Sequence, residues 1–388
     1  MKDLLNRAEA LQEEMTAWRR AFHQQPELTH QEAGTHRMIR EFLKEMGIPF
    51  VTAGDTITVA EIKGEKPGKA AAIRADTDAL PVMEETGAGY TSQVPGVMHA
   101  CGHDMHMAIG LGAARLLWDM RGRLSGRALV IFQPAEEGGH GASRVVETGL
   151  ADGVDAFFAL HVWPQLQTGK YQLSPGAVCA AADKLIIEVK GRGGHGAYPE
   201  LCHSALWAAA DIAMQLMALV PKSPADRPLH VMSMGQLHTG SNWNVIPGEA
   251  RLEGSLRTLD AQLREKLLGK IQELMEKTAQ KHGCTAAFQV DAVCGIVYND
   301  KALTLQAKPA LAAALGEAAA DAQQTALIGD DFSDYRAIGP CCYAHLGVKR
   351  PEQPEVFPLH HPRFDPDEAA MPVGVAGLCA SVLAALEN

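Results

Sequence analysis

The chain has 388 residues, 47% of them hydrophobic, which is enough for two domains and more than one core. Its 35 basic residues against 46 acidic ones give a formal net charge of −11 with no block of lysine and arginine, which argues against nucleic acid or an anionic membrane surface as a partner. Charges recur every few residues from Met1 to Glu9, so neither a secretory core nor a membrane span can be drawn there, and eight cysteines with no dense extracellular framework read as cytoplasmic thiols, catalytic or metal-bound.

From Leu4 to about Glu45 apolar residues recur at helical spacing with a break near Pro26, which predicts two amphipathic helices. After Gly47 the texture changes. Residues 56–62 and 71–74 read as strands, 105–118 as a helix, 128–132 as a buried strand, 142–147 as a helix and 157–160 as another short apolar run. Such alternation favours an α/β sheet with parallel character. A second texture starts near Asp183: strand 185–189, helix 204–219, strands 229–237 and 249–256, helix 261–282 and strand 286–290. That order, βαββαβ, is the ferredoxin-like split pattern. Residues 183–295 are therefore expected to form an inserted α+β domain, and residues 1–182 with 296–388 the domain around it. The alanine-rich stretch 310–322 fits one more helix.

The chemistry-bearing residues fall where these strands end. Ile73 runs on to Asp76 and Asp78, Ile131 to Glu136 and Glu137, and Leu160 to His161. In open α/β sheets the carboxyl ends of the strands line the site. Met98-His99-Ala100-Cys101-Gly102-His103-Asp104 stands just before a predicted helix, and Leu359-His360-His361-Pro362 near the chain's end adds two histidines. Cysteine, histidine and carboxylate together suit Zn²⁺ or a similar divalent ion. Each piece also has a plain reading: Asp76 and Asp78 as caps, Cys101 as a buried thiol, Glu136-Glu137 as a solvated turn, His161 as a core histidine. Their conjunction at several strand ends is what favours a metal site.

Arg74-Ala75-Asp76-Thr77-Asp78-Ala79-Leu80-Pro81, Met98 to His106, Phe132-Gln133-Pro134-Ala135-Glu136-Glu137-Gly138 and Gly193-Gly194-His195 closely resemble the M20 family of metallopeptidases. The nearest branch is its subfamily D, amidohydrolases of N-acyl amino acids, hippurate and auxin conjugates. The likeness runs from Trp18-Arg19-Arg20 and Pro26-Glu27-Leu28 through His360. It implies a mixed-sheet, zinc-peptidase-like catalytic domain carrying a ferredoxin-like dimerisation domain. It also implies two divalent ions, with zinc or manganese first and cobalt or nickel also suited, bridged by Cys101 and completed by His103, Glu137, His161 and His360. By the same resemblance Glu136 is the general base, and Asp78 supports the ligands by accepting from a metal-bound imidazole. His361 competes with His360 for the ligand role.

The resemblance further implies that His195 serves a partner subunit's site in a homodimer or higher homo-oligomer, and that Asn244 and Arg257 hold a substrate carboxylate. His195 alone also reads as a histidine in a glycine turn, and Arg257 as a surface charge. Two departures bear on substrate. Glu200 and Ser204 stand where subfamily D often has histidine and aspartate, and Pro199 to Leu206 looks more like aminobenzoyl-glutamate hydrolases. Asp330-Asp331-Phe332 replaces the family's Glu-Asp-Phe, at a pocket rim or a helix N-cap.

The expected reaction is hydrolysis of an N-acyl or N-aroyl amino acid or small dipeptide bearing a free carboxylate. Water is activated by the metals, and Glu136 passes its proton to the leaving nitrogen. An aminobenzoyl-glutamate-type hydrolase is the near alternative. A Cys101 thiol hydrolase with His103 or His106 as base leaves Glu136, Glu137, His161 and His360 without a role. A non-catalytic metal-binding module is the reading from another class, and Glu136 argues against it.

Overall fold

The computed structural model describes residues 3–138, 140–220, 223–224, 229–316, 325–352 and 356–387. The chain divides into two units, one of Met1–Val178, Tyr298–Gln324 and Asp331–Asn388, the other of Cys179–Val297 and Thr325–Asp330.

The first unit is built on a seven-stranded sheet in the order Phe50–Ala53, Ile57–Lys63, Ser125–Gln133, Lys66–Asp76, Ala156–Gln167, Cys341–Lys349, Tyr171–Gln172. The four strands from Ser125–Gln133 to Cys341–Lys349 run parallel, and antiparallel neighbours flank them. The sheet is thus mixed, with a parallel centre. Ala70 to Asp76 is an unbroken buried run, the pattern of a strand covered on both faces. Helices His103–Asp119 and Met371–Leu386 pack against that strand. Both are apolar nearly all round, as helices sunk in a core must be. The window Glu368–Leu386 is long and apolar enough to cross a membrane, yet 89% of it is buried inside the protein. At Gly110 a Cβ would stand 3.1 Å from the Phe132 ring and 3.2 Å from Ala75, so a glycine there lets the helix lie close on the sheet.

Several boundaries differ from those expected. The N-terminal region forms three helices, Leu4–Glu9, Gln12–Gln24 and Ala33–Glu45, rather than two. The Leu11 N–H donates to the Ala8 carbonyl at 3.0 Å, closing a tight turn that no glycine or proline marks in the sequence. The run at 157–160 lies near the start of a twelve-residue strand, Ala156–Gln167, because Cys341–Lys349 pairs along it well past His161. The alanine-rich segment belongs to helix Lys301–Leu315, which starts earlier than expected, and residues 317–322 of that prediction lie outside the described residues.

The second unit has a four-stranded antiparallel sheet in the order His230–Thr239, Glu249–Thr258, Ala181–Lys190, Thr285–Cys294. Helices Ala205–Leu219 and Ala261–Lys281 supply the rest of the βαββαβ order, and their buried residues join those of the sheet in one apolar cluster. Ser204 and Asp260 cap the two helices, accepting from the N–H groups of Trp207 and Leu263. A small ribbon pairs Gly194–His195 with Val245–Ile246.

Candidate metal centre

Strand register brings the chemistry of the first unit to one level. Asp76 pairs with Gln133 where two parallel strands end. Arg74 pairs with Ala159, so His161, two residues further on, stands level with Asp76. His161 is therefore not at a strand end: its own strand continues to Gln167 beside Cys341–Lys349, while Lys66–Asp76 on its other side stops at this level and opens the space there. Cys101 and His103 flank Gly102, which has φ +87°, and a Cβ there would lie 2.5 Å from Val162 Cγ2. That turn admits only glycine. His103 and Asp104 occupy the first turn of the helix rather than preceding it. Asp104 accepts from Arg19 Nε at 2.7 Å and pairs with His23 Nδ1 at 2.8 Å, anchoring that turn within the core.

The donor atoms of Cys101, His103 and His161 lie within 4.8 Å of one another, as do those of Cys101, Glu137 and His360, and those of His103, Glu136 and Glu137. Cys101 is common to the first two sets. Its Sγ is 3.4 Å from His161 Nε2. His103 Nδ1 lies 2.8 Å from the Asp78 carbonyl oxygen, and His161 Nδ1 lies 2.8 Å from that of Val162. A carbonyl only accepts, so both rings carry a proton on Nδ1 and turn Nε2 inward. His103 Nε2 and Glu137 Oε1 are buried and make no hydrogen bond among the described residues. They stand 3.9 Å apart, and Glu137 Oε1 is 3.2 Å from His360 Nε2.

This donor set fits a divalent cation. Burial pushes the Cys101 thiol far up, and the carboxylates of Glu137 and Glu136 push it further, so only a cation beside it would hold it as thiolate. Burial alone would strip His103 of a proton, but Asp76, Asp78 and Glu137 outweigh it and raise the imidazole to about 10. Carboxylates that draw a second proton onto a buried imidazole mark a place where positive charge is favoured, as in a cation site.

Asp78 stands against the His103 ring and also holds the two glutamates. Its backbone carbonyl, not its carboxylate, makes the short contact to His103; the carboxylate Oδ1 is 3.4 Å from His103 Nδ1. The carboxylate instead accepts from the N–H groups of Glu136 and Glu137, each at 3.0 Å, and from the Thr29 hydroxyl at 2.7 Å. It fixes the backbone of the two glutamates. Asp76 is likewise engaged elsewhere: it pairs with Arg74 and with His106 Nδ1. His106 Nε2 accepts the Val162 N–H at 3.0 Å, so neither ring nitrogen is available as a metal ligand or as a base beside Cys101.

His361 is engaged apart from the cluster. Its Nδ1 accepts the Arg363 N–H and its ring stacks on Phe357 at 4.6 Å, whereas His360 joins Cys101 and Glu137. His360 holds φ +67° and Ala135, just before Glu136, holds φ +58°. Left-handed backbone at non-glycine residues beside the two ends of this cluster is strain of the kind that collects at functional sites.

Three supporting residues are joined across long separations in the chain. Asp331 is buried and accepts from Arg74 Nη2 at 2.9 Å, Gln133 Nε2 at 2.8 Å and the Ala142 N–H at 2.8 Å, so it is a core acceptor. Arg74 and Gln133, both inside quoted motifs, join it in one buried network, in which Arg74 also pairs with Asp76 and Gln133 accepts from Arg74 Nε at 2.9 Å.

In the second unit His195 Nδ1 accepts the Ala197 N–H at 3.0 Å, which leaves Nε2–H as an exposed donor. Asn244 Oδ1 is buried without a hydrogen bond among the described residues, and its backbone carbonyl accepts the Gly196 N–H at 2.8 Å. Arg257 Nη1 donates to the Leu327 carbonyl at 3.2 Å. Ser204, one of the two departures from subfamily D, is a helix N-cap, a position that serine and aspartate fill equally well. Its substitution needs no change of substrate to explain it.

The model of Peptidase family M20/M25/M40 matches residues 72–384. The chain belongs to this family. It is a hydrolase acting on amide bonds. An N-acetylcysteine deacetylase from Bacillus subtilis (strain 168) is 37% identical over 357 residues, 92% of each chain. A crystal structure from methicillin-resistant Staphylococcus aureus superposes with a TM-score of 0.92 over 100% of both chains at 31% identity. A dinuclear metal-binding M20 peptidase from B. subtilis superposes with a TM-score of 0.85 at 33% identity, over 98% of this chain and 99% of that one.

Proposed function

We propose that this M20 chain hydrolyses the amide of N-acyl or N-aroyl amino acids, or of small dipeptides, that keep a free carboxylate. Two divalent ions would be held by Cys101, His103, Glu137, His161 and His360, with Glu136 as general base. The observation that carries this reading is the convergence of buried donors without hydrogen bonds among the described residues, His103 Nε2 and Glu137 Oε1, on Cys101, which belongs to two ligand sets at once. Divalent ions bound there supply Lewis-acid polarisation of the scissile carbonyl and of a water molecule.

The chain's own residues do the rest. The Glu136 carboxylate takes the proton from water and returns it to the amide nitrogen, which otherwise leaves poorly. The His195 Nε2–H donates to the carbonyl oxygen as negative charge develops on it. Asn244 and Arg257 orient the substrate carboxylate. The dinuclear relative favours two ions, and zinc or manganese suits the mixed thiolate, imidazole and carboxylate donors. We read the chain as a cytoplasmic homodimer in which His195 serves the partner's site. In keeping with a reducing compartment, no disulfide joins its eight cysteines, all within the described residues.

Exhaustive chelation is expected to abolish turnover of an N-acyl amino acid panel, with recovery on adding Zn²⁺ or Mn²⁺ and about two ions bound per chain. E136Q is expected to lower kcat by several orders of magnitude at unchanged metal content. Full activity after verified removal of metal, or in E136Q, overturns the reading. The same panel should include aminobenzoyl-glutamate, because the segment Pro199 to Leu206 favours that substrate whereas the deacetylase likeness favours small acyl groups.

A further inference from the structure

Three consecutive backbone N–H groups, those of Ala135, Glu136 and Glu137, each donate to a carboxylate. Two go to Asp78. The third, from Ala135, goes to Glu32 Oε1 at 2.8 Å. Glu32 is fully buried, lies between the Pro26-Glu27-Leu28 motif and the helix Ala33–Glu45, and is far in sequence from the loop it contacts. Burying a carboxylate is costly, and burial together with the nearby Asp78 charge raises its pKa. A leucine or methionine would fill that space without the penalty. The one polar contact to another segment that its side chain makes among the described residues is to the residue before Glu136.

That residue is also strained. Ala135 sits at φ +58° and is fully buried. The left-handed region costs an L-residue about 1–2 kcal/mol, so something must hold Ala135 there. The segment that bears Glu32 forms a bed under the same loop: a Cβ on Gly138 would come within 2.3 Å of Thr29 Cγ2, and Thr29 donates to Asp78. Leu28 pairs with Ala79, and the Ala79 N–H donates to the Glu27 carbonyl at 2.8 Å, which ties this segment to the strand end that carries Asp78.

We infer that Glu32 is a positioning residue for the general base: its carboxylate fixes the left-handed Ala135 and so sets the direction in which Glu136 leaves the strand. Asp78 holds the ligand Glu137 as well as Glu136, whereas Glu32 acts on the N-terminal side of the base alone. This rests on the proposed role of Glu136. The metal ligands do not depend on Glu32, so the two functions separate experimentally.

The test compares E32M, which keeps the bulk and removes the acceptor, with E32Q, which keeps an acceptor oxygen in the same place. Both are purified as full-length metal-loaded enzyme beside E136Q. Kinetics use the best N-acyl amino acid substrate, and metal content and affinity are measured independently. E32M is expected to lose about 100-fold in kcat, the scale of a 1 Å misplacement of a reacting group, with KM and metal affinity within about threefold of wild type. E32Q is expected to keep kcat within about threefold. Full kcat in E32M, equal losses in E32M and E32Q, or a parallel loss of metal in E32M each overturn the inference. An active E136Q instead removes the reading on which it rests, and a dead E136Q beside a fully active E32M removes the inference about Glu32 alone.

Discussion

Asp78 serves two masters through one carboxylate, since the Glu136 and Glu137 N–H groups each donate to one of its oxygens. Burial opposes its charge, yet the neighbouring His103 ring and the hydrogen bonds from Thr29 and Glu137 leave its pKa below the ordinary carboxylate value. D78A should therefore move both functions of the loop at once. The expected outcome is a fall of about 10- to 100-fold in metal affinity together with a fall in kcat, the usual range for residues that orient ligands. Competition with a chromophoric chelator and steady-state kinetics check it; loss of kcat with unchanged metal affinity would confine Asp78 to the base. The contrast with Glu32 shows what was legible at this scale. Cys101, His103, Glu136, Glu137 and His161 stand in contiguous motifs or close an apolar run, so residue type and spacing pick them out. Glu32 acts across 103 positions on a backbone amide, and Asp331 across 257 positions on Arg74. No local pattern encodes such pairings. His360 was separable from His361 only by asking which ring is already occupied.

Among elements, the strand Cys341–Lys349 explains why the run at 157–160 is longer than its apolar core. His345 pairs in register with His161, and the pairing continues to Gly347 opposite Trp163. The His345 ring lies flat on the Trp163 indole, with centroids 4.0 Å apart and planes within 5°. Neither of its nitrogens has a hydrogen-bond partner among the described residues, and burial pushes its pKa down to about 3. A histidine whose folded pKa lies below 6.5 costs nothing above that pH. As the pH falls from 6.5 toward 3 the unfolded chain takes up a proton that the folded one refuses, and stability is lost. H345F keeps the stacked ring and removes the titration. Relative to H345F, the wild type should lose up to about 1.4 kcal/mol per pH unit below 6.5, with the two curves parallel above it. Urea unfolding of both proteins from pH 7.5 to 5 measures the difference, and parallel profiles throughout would show that His345 finds a proton acceptor. The sequence marked neither this strand nor its partner's length, because a cysteine pair, a tyrosine, an alanine and a histidine make no clear alternation.

For the whole molecule, the open question is which subunit's His195 works with which Glu136. The second unit has the means to associate. Strand His230–Thr239 is an edge of its sheet, and helix Ala205–Leu219 exposes Trp207 at 67%, Met214 at 75% and Met217 at 48%. Exposed apolar side chains along a helix and an unpaired strand edge are features that a second copy can cover. If a homodimer forms there and His195 acts in the other subunit's site, H195A and E136Q homodimers are both inactive for different reasons. A heterodimer of the two then has one site in which both Glu136 and His195 are intact, and one in which both are lost. Complete exchange of an equal mixture makes half the dimers hybrid, so activity should recover to about a quarter of wild type. Were His195 to act within its own chain, each hybrid site would carry one lesion and no activity would return. The measurement is turnover before and after subunit exchange, with light scattering to establish the dimer. An M214D/M217D variant that turns monomeric should lose kcat while its metal content, set by residues of the first unit alone, stays unchanged.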